Sequence, residues 1–247
     1  LFILLFSLVL EGMVTTQAVA GDYVHQVNTL IGTKGTGLTS GYLYPGATYP
    51  YGMVQFTPSY FSKRSGFVIN QLSGGGCEHM GNFPTFPVKG KLKMSPDNIL
   101  NYRINVSEEK GHAGYYEAMV QEDIKAKLTV TERTGMASYE YPADQQYGTI
   151  IIGGGISATP IEQAAIVITA PNKCEGYAEG GNFCGLRTPY KVYFVAEFDT
   201  DAFETGTWKR EELMPNTTFA EGEYSGVYFT FDVNKKKNIQ YKIGVSY

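Results

Sequence analysis

The chain is poor in the residues that much enzyme chemistry depends on. Its 247 residues include three histidines, three cysteines and one tryptophan. A structural zinc site needs ligand pairs at fixed spacing, usually two of them, and none occur. Cys77-Glu78-His79 stands alone, with His25 and His112 far from it in sequence. There is no G-x-S-x-G elbow, so a serine nucleophile of that type is not indicated. Charge is scarce as well, at 18% of residues with a net charge of −4. Neutralising phosphates needs a basic face, which argues against a nucleic-acid partner. The one cationic run, Lys235-Lys236-Lys237, reads as a solvated hairpin tip. No amphipathic helix of ordinary length, internal repeat or low-complexity linker is present.

What remains is glycine, tyrosine and short apolar runs. There are 29 Gly and 19 Tyr, and 43% of residues are hydrophobic, enough for a substantial core. Runs rich in Val, Ile, Tyr, Phe and Thr are separated by turn residues. They predict strands at 53–56, 115–120, 124–130, 137–141, 149–152, 165–169, 191–198, 226–231 and 240–246. In Lys125-Ala126-Lys127-Leu128-Thr129-Val130 every second residue is apolar, which suits one buried face. Many short strands with turns between them predict a sandwich or barrel, beginning after Asp22 and forming one domain over 21–247.

The N-terminal LFILLFSLVL is an apolar run too short to span a bilayer. Ala18-Val19-Ala20 then supplies a small-x-small pattern before Gly21. Residues 1–20 are therefore expected to be a signal peptide, truncated at the front because no initiator Met or basic segment precedes the run. The mature protein is expected to be exported, periplasmic or secreted, without a membrane anchor. The last residues, Tyr241 to Tyr247, still read as a strand, which suggests a fragment of a longer protein.

Gly153-Gly154-Gly155-Ile156-Ser157-Ala158 fits the dinucleotide fingerprint G-x-G-x-x-A, but Pro160 and a β-like run follow too soon for the required helix. A glycine-rich bend between strands is the better reading. Ser73 to Phe83, SGGGCEHMGNF, combines close-approach glycines with Glu78, His79 and Asn82, groups suited to sugar hydroxyls. Cys174 to Cys184 reads as a second glycine-rich loop, with Glu175 to bond hydroxyls and Tyr177 and Phe183 placed to stack on a pyranose. Both loops are equally readable as ordinary surface loops. They are expected to share one end of the sandwich. In an oxidising compartment Cys174 and Cys184 are a disulfide candidate, which would stabilise by about 3 kcal/mol. Three free, mostly buried thiols are the alternative. Glycosidic hydrolysis needs two carboxyl groups astride the bond, and sequence does not show whether Glu78, Glu175 and Glu179 converge.

Val27 to Thr33 (VNTLIGT), Tyr44 to Gln55 (YPGATYPYGMVQ) and Leu72 to Cys77 (LSGGGC), with further segments in order, resemble the N-terminal domain of glycoside hydrolase family 92, the exo-α-mannosidases, of a bacterial, Bacteroidetes-like kind. Val27-Asn28-Thr29-Leu30-Ile31-Gly32-Thr33 resembles the opening V-N-P-F-I-G-T. Tyr44 to Gln55, YPGATYPYGMVQ, resembles Y/F-P-G-A-x-x-P-F-G-M-V-Q. Leu72 to Cys77, Gly114 to Tyr116, Leu128 to Gly135, Phe183 to Gly185, Lys191 to Phe198 and Lys242 to Tyr247 follow the family order. Ser65 to Gly74 departs from it: the histidines of G-F-S-H-x-H-L-S-G are missing. Tyr60-Phe61-Ser62-Lys63-Arg64 stands where many members place a Trp. The resemblance implies a galactose-mutarotase-like β-supersandwich lacking its (α/α)6 barrel. It also implies a calcium-dependent, inverting exo-α-mannosidase acting on mannose-containing glycans. The catalytic acid and base then lie on the C-terminal helical domain of the same gene product, so this chain carries no catalytic residue and positions substrate through Glu78, His79, Asn82 and Glu175. Its calcium ligands are not specified. The other reading is a non-enzymatic carbohydrate-binding or adhesion sandwich. A free-standing mutarotase would need a buried His–Glu pair.

Overall fold

The computed structural model describes residues 23–33, 43–59, 66–71, 81–96, 105–154, 161–181, 186 and 188–247. The expected signal peptide lies outside them. Among the described residues a short 3-10 helix, Tyr23–Gln26, precedes seventeen strands. The first nine are β1 (Ala47–Thr48), β2 (Gln55–Pro58), β3 (Phe67–Val68), β4 (Thr85–Lys89), β5 (Val106–His112), β6 (Tyr115–Val120), β7 (Ile124–Val130), β8 (Thr134–Glu140) and β9 (Tyr147–Gly153). The rest are β10 (Ile161–Ala170), β11 (Lys173–Gly180), β12 (Tyr190–Phe198), β13 (Glu204–Lys209), β14 (Glu212–Pro215), β15 (Phe219–Glu221), β16 (Ser225–Asp232) and β17 (Asn238–Ser246).

They form two antiparallel sheets. One runs β1-β2-β3-β4-β9-β16-β13-β14, and the other β15-β10-β11-β12-β17-β8-β7-β6-β5. The sheets read differently in sequence because they are buried differently. Ile150, Ile151 and Ile152 of β9 are all fully buried, so both faces of that strand are covered. Strands β7, β8, β12 and β17 alternate buried with exposed or half-buried positions, as expected of a sheet with one face in water. Aromatic rings fill the space between the sheets. Phe56 meets Tyr241 at 6.3 Å, Phe67 stacks on Tyr139 at 5.9 Å, and Phe198 meets Phe229 at 4.7 Å.

Three buried phenols find partners across the core. Tyr241 donates to Thr85 Oγ1 at 2.7 Å, and Tyr139 lies 3.4 Å from the same oxygen. Tyr141 donates to the Thr149 carbonyl at 3.0 Å. Burial pushes the Tyr139 pKa up to about 12, and Tyr141 and Tyr241 well above their ordinary value. The unfolded phenols titrate near about pH 10. Above that pH the unfolded chain gives up protons that the native core keeps, so stability is lost as pH rises. For Tyr139 the loss by about pH 12 is roughly 2–3 kcal/mol. We expect cooperative alkaline unfolding above about pH 10, with tyrosinate absorbance rising in the same transition that removes the β-sheet circular dichroism. Titration complete before the sheet signal falls would show that these rings ionise in the folded state.

Three expectations are corrected. Residues Cys174 to Gly180 are not a loop but strand β11, hydrogen-bonded to β10 on one side and β12 on the other. Gly176 permits it: a Cβ there would stand 2.2 Å from the Ala165 carbonyl oxygen and 2.9 Å from the Phe194 ring. Lys235-Lys236-Lys237 is not at a hairpin tip. It lies in the turn between β16 and β17, which belong to different sheets, and Lys236 pairs with Asp199 at 2.7 Å. Finally, Cys174 is a buried free thiol whose pKa burial raises. Cys184 lies outside the described residues. The glycine run at Gly153 does end a strand, as expected. That strand, β9, is antiparallel to both neighbours, so the parallel βαβ unit of a dinucleotide site is absent there.

Candidate functional site

One end of the sandwich gathers amides and phenols from both sheets. Strand β3 runs on through Ile69, Asn70 and Gln71, and Gly81, Asn82 and Phe83 lead into β4. The Ile69 amide donates to the Asn82 carbonyl at 3.4 Å. Asn70 ties this neck together. Its Oδ1 accepts from the backbone amides of Gly81 (3.1 Å) and Asn82 (2.7 Å). Its Nδ2 donates to Asn82 Oδ1 at 3.0 Å and to the Tyr247 hydroxyl at 3.2 Å. Tyr190, at the start of β12, donates to the same Asn82 oxygen at 3.0 Å.

These groups are nearly sealed: Asn70 is 3% exposed, Asn82 1% and Gln71 0%. Their hydrogen-bonding capacity is not used up. Asn82 Nδ2 and both polar atoms of Gln71 have no partner among the described residues. A buried unsatisfied polar group costs about 1–3 kcal/mol, which a hydroxyl or a water arriving there would recover. The backbone is strained at the same place. Phe83 holds φ at 50°, left-handed for a bulky residue, and Gly81 holds 84°. Such a conformation costs about 1–3 kcal/mol and persists only where packing enforces it. Here Phe83 packs against Phe194, tilted by 40° with centroids 4.2 Å apart. Burial raises the Tyr247 pKa, opposed by the Asn70 hydrogen bond. The end therefore offers neutral donors and acceptors. Amides and un-ionised phenols bind hydroxyls but do not carry general acid–base catalysis at neutral pH.

Of the residues singled out from sequence, Asn82 is at the centre of this cluster. Glu78 and His79 lie outside the described residues, in the stretch joining Gln71 to Gly81. Glu175 is not brought to Asn82. Tyr190, which bonds Asn82, pairs with Gly180, whereas Glu175 pairs with Val195 five residues along β12, about 16 Å away. Gly180 and Tyr190 pair with each other, and Tyr190 bonds Asn82, so the end of β11 and the start of β12 lie beside the Asn70–Asn82 cluster. Sequence reading missed Asn70, Gln71, Tyr190 and Tyr247. The available signal was the amide pair Asn70-Gln71, which directly follows the apolar Phe67-Val68-Ile69.

Calcium takes six to eight oxygen ligands, several of them carboxylates. Among the described residues no group of three or more His, Cys, Asp or Glu side chains converges. The donors at the sandwich end are amide and phenol groups, which do not make such a shell.

Residues 26–246 match the family described as glycosyl hydrolase family 92 N-terminal domain. The chain belongs to this family. The fold is shared with solved family 92 structures. A family 92 glycosyl hydrolase superposes with a TM-score of 0.77 at 22% identity, over 91% of this chain and 32% of the other. A family 92 α-mannosidase from Bacteroides thetaiotaomicron gives 0.75 at 23% identity, over 89% and 32%. An inverting family 92 mannosidase from the same organism gives 0.68 at 21%, over 91% and 31%. A protein of Arthroderma benhamiae described as an uncharacterized secreted glycosidase is 30% identical over 159 residues, 55% of this chain and 20% of its own length. The chain thus spans about a third of the solved relatives and a fifth of the curated one.

Proposed function

We propose that this chain is the substrate-positioning N-terminal domain of an exported, calcium-dependent, inverting exo-α-mannosidase acting on mannose-containing glycans. In this reading residues 1–20 are its signal peptide, and a helical domain of the same gene product supplies the catalytic acid, base and calcium shell. The family match over residues 26–246 carries the reading. The chemistry of the sandwich end supports the division of labour. Inversion needs two carboxyl groups about 6.5–9.5 Å apart, one protonating the leaving oxygen and one activating water. Asn70, Gln71, Asn82, Tyr190 and Tyr247 provide no such pair, but Asn82 Nδ2 and both polar atoms of Gln71 are unsatisfied hydrogen-bonding groups held in place by this network. Groups of this kind hold a sugar in place while proton transfer occurs elsewhere. The secreted description of the Arthroderma relative supports export.

The test compares this chain with the product of the gene's entire open reading frame, on aryl α-mannosides and mannobioses, with calcium and with a chelator. The chain alone should show no turnover above background. The entire product should release β-mannose first, as followed by proton NMR, and lose activity with the chelator. Turnover by the chain within tenfold of the entire product would remove the assignment as a non-catalytic domain. Absence of α-mannosidase activity in both would favour a carbohydrate-binding or adhesion role.

A further inference from the structure

The nine-stranded sheet turns one face to water, and most of its outward positions are polar. Strands β10, β11 and β12 break that pattern. Outward rows run across them through the pairs Phe219↔Val167, Val167↔Glu175 and Glu175↔Val195, and through Ala165↔Tyr177 and Tyr177↔Tyr193. Tyr193 is 47% exposed, Val195 41% and Phe219 55%. Ala165 is small, so the surface dips between Phe219 and the two tyrosines. The resulting cleft has a volume of about 390 Å³.

Its geometry is partly fixed in advance. Tyr177 and Tyr193 stand 6.1 Å apart at 49° to each other. The Lys191 ammonium lies 3.9 Å over the Tyr177 ring and pairs with Glu179 at 2.5 Å. That clamp holds the ring upright from one side, while Tyr177 also lines the cleft. Glu175 is a lone carboxylate among apolar walls. Small-molecule sites have this make-up, with apolar and aromatic walls and a few polar groups that fix orientation.

We propose that this cleft binds a neutral hexopyranose chain, with sugar C–H faces against Tyr177 and Tyr193 and hydroxyls donated to Glu175. The carboxylate decides between sugar and protein as occupant. Covered by an apolar protein surface, Glu175 would lose its water without gaining a partner, which is unfavourable. Sugar hydroxyls satisfy it while their ring faces cover the tyrosines. Its acidity also disfavours anionic glycans. The site is separate from the Asn70–Asn82 end, about 16 Å along β12. It would hold a second part of a branched or extended glycan, or keep the protein on a polymer. Only the choice of mannose as the sugar rests on the proposed function above.

The test is native affinity electrophoresis of the chain in gels containing α-mannan, with a β-glucan gel run in parallel. Mannan should retard the chain. Tyr193→Ala should weaken retardation about fivefold, the worth of one stacking contact, with Tyr193→Phe close to wild type. Glu175→Gln should weaken it too, whereas Asp144→Asn, in the exposed turn between β8 and β9, should not. Circular dichroism of each variant separates lost binding from lost fold. Retardation by neither polysaccharide, or retardation removed by Gln71→Ala at the sandwich end and untouched by Tyr193→Ala, would overturn the proposal. Retardation by the glucan alone, abolished in Tyr193→Ala, would uphold the cleft and count against the mannoside reading.

Discussion

Replacing Gly226 by alanine is expected to lower the thermal midpoint by about 6–12 °C, from a loss of roughly 3 kcal/mol in a chain of this size. Gly226 lies in β16, directly opposite Trp208 of β13 on one side and Gly153 of β9 on the other. The row Trp208–Gly226–Gly153 leaves a lane in which the indole can lie flat, and Trp208 is only 1% exposed. A Cβ on Gly226 would stand 2.3 Å from the end of the indole and 2.4 Å from the Ile152 carbonyl oxygen. The ring is itself buried, and the carbonyl belongs to a central strand buried on both faces. One of them must move, and overpacking of this kind costs about 1–3 kcal/mol or more. The chain has a single tryptophan, so fluorescence reports the event directly. The emission of Gly226→Ala should shift to the red as the indole is pushed toward water. A midpoint within a degree of wild type and an unchanged emission maximum would show that the sheet relaxes without cost.

Most strands were legible because burial is written as alternation. Tyr115–Val120 and Ile124–Val130 were predicted to the residue. In both, every second side chain enters the core. The family resemblance and the β-supersandwich were legible for a different reason, since turn glycines and prolines occur in a fixed order. The misses have physical causes. β5, Val106–His112, reads VSEEKGH because it is the exposed edge of its sheet, where charge prevents pairing with another chain. It also carries a bulge between Ser107 and Lys110, with Glu108 at a φ of 52°. β11 reads as a loop because its glycines suggest turns. In place, Gly176 makes room for a neighbouring backbone and a phenylalanine ring, a fact that exists only in three dimensions. The candidate site was half legible for the same reason. Asn82 stood out within its loop. Its partners Asn70 and Tyr190 are 12 and 108 residues away, and Tyr247 is 177 residues from Asn70. Only the packing of the two sheets brings them together.

Asn70→Ala is expected to cost about 3 kcal/mol or more and to release the neck between Gln71 and Gly81, because it removes two kinds of partner at once. The Gly81 and Asn82 amides lose their acceptor in a nearly sealed environment, while Asn82 Oδ1, which keeps the Tyr190 donor, and the half-exposed Tyr247 hydroxyl each lose one partner. Each group left unsatisfied there costs about 1–3 kcal/mol. Asn70→Asp separates the halves. Its oxygens can still accept from the two amides, but an ionised carboxylate would face the Asn82 Oδ1 acceptor. Burial and that acceptor, opposed by the two amide donors, should raise the pKa of the introduced carboxyl above its unfolded value of about 3.9. A carboxyl with a raised folded pKa contributes stability that is present when protonated and lost as pH rises through that pKa. Relative to wild type, Asn70→Asp should therefore be less destabilised near pH 4 than at pH 7, while the deficit of Asn70→Ala should not change with pH. Urea unfolding at both pH values measures this, and hydrogen exchange at the Gly81 and Asn82 amides locates it. Protection at those two amides should collapse in Asn70→Ala and survive in part in Asn70→Asp. Retained protection in Asn70→Ala, with a loss under about 1 kcal/mol, would mean that the Phe83–Phe194 contact, and not the asparagine, holds this end of the sandwich in shape.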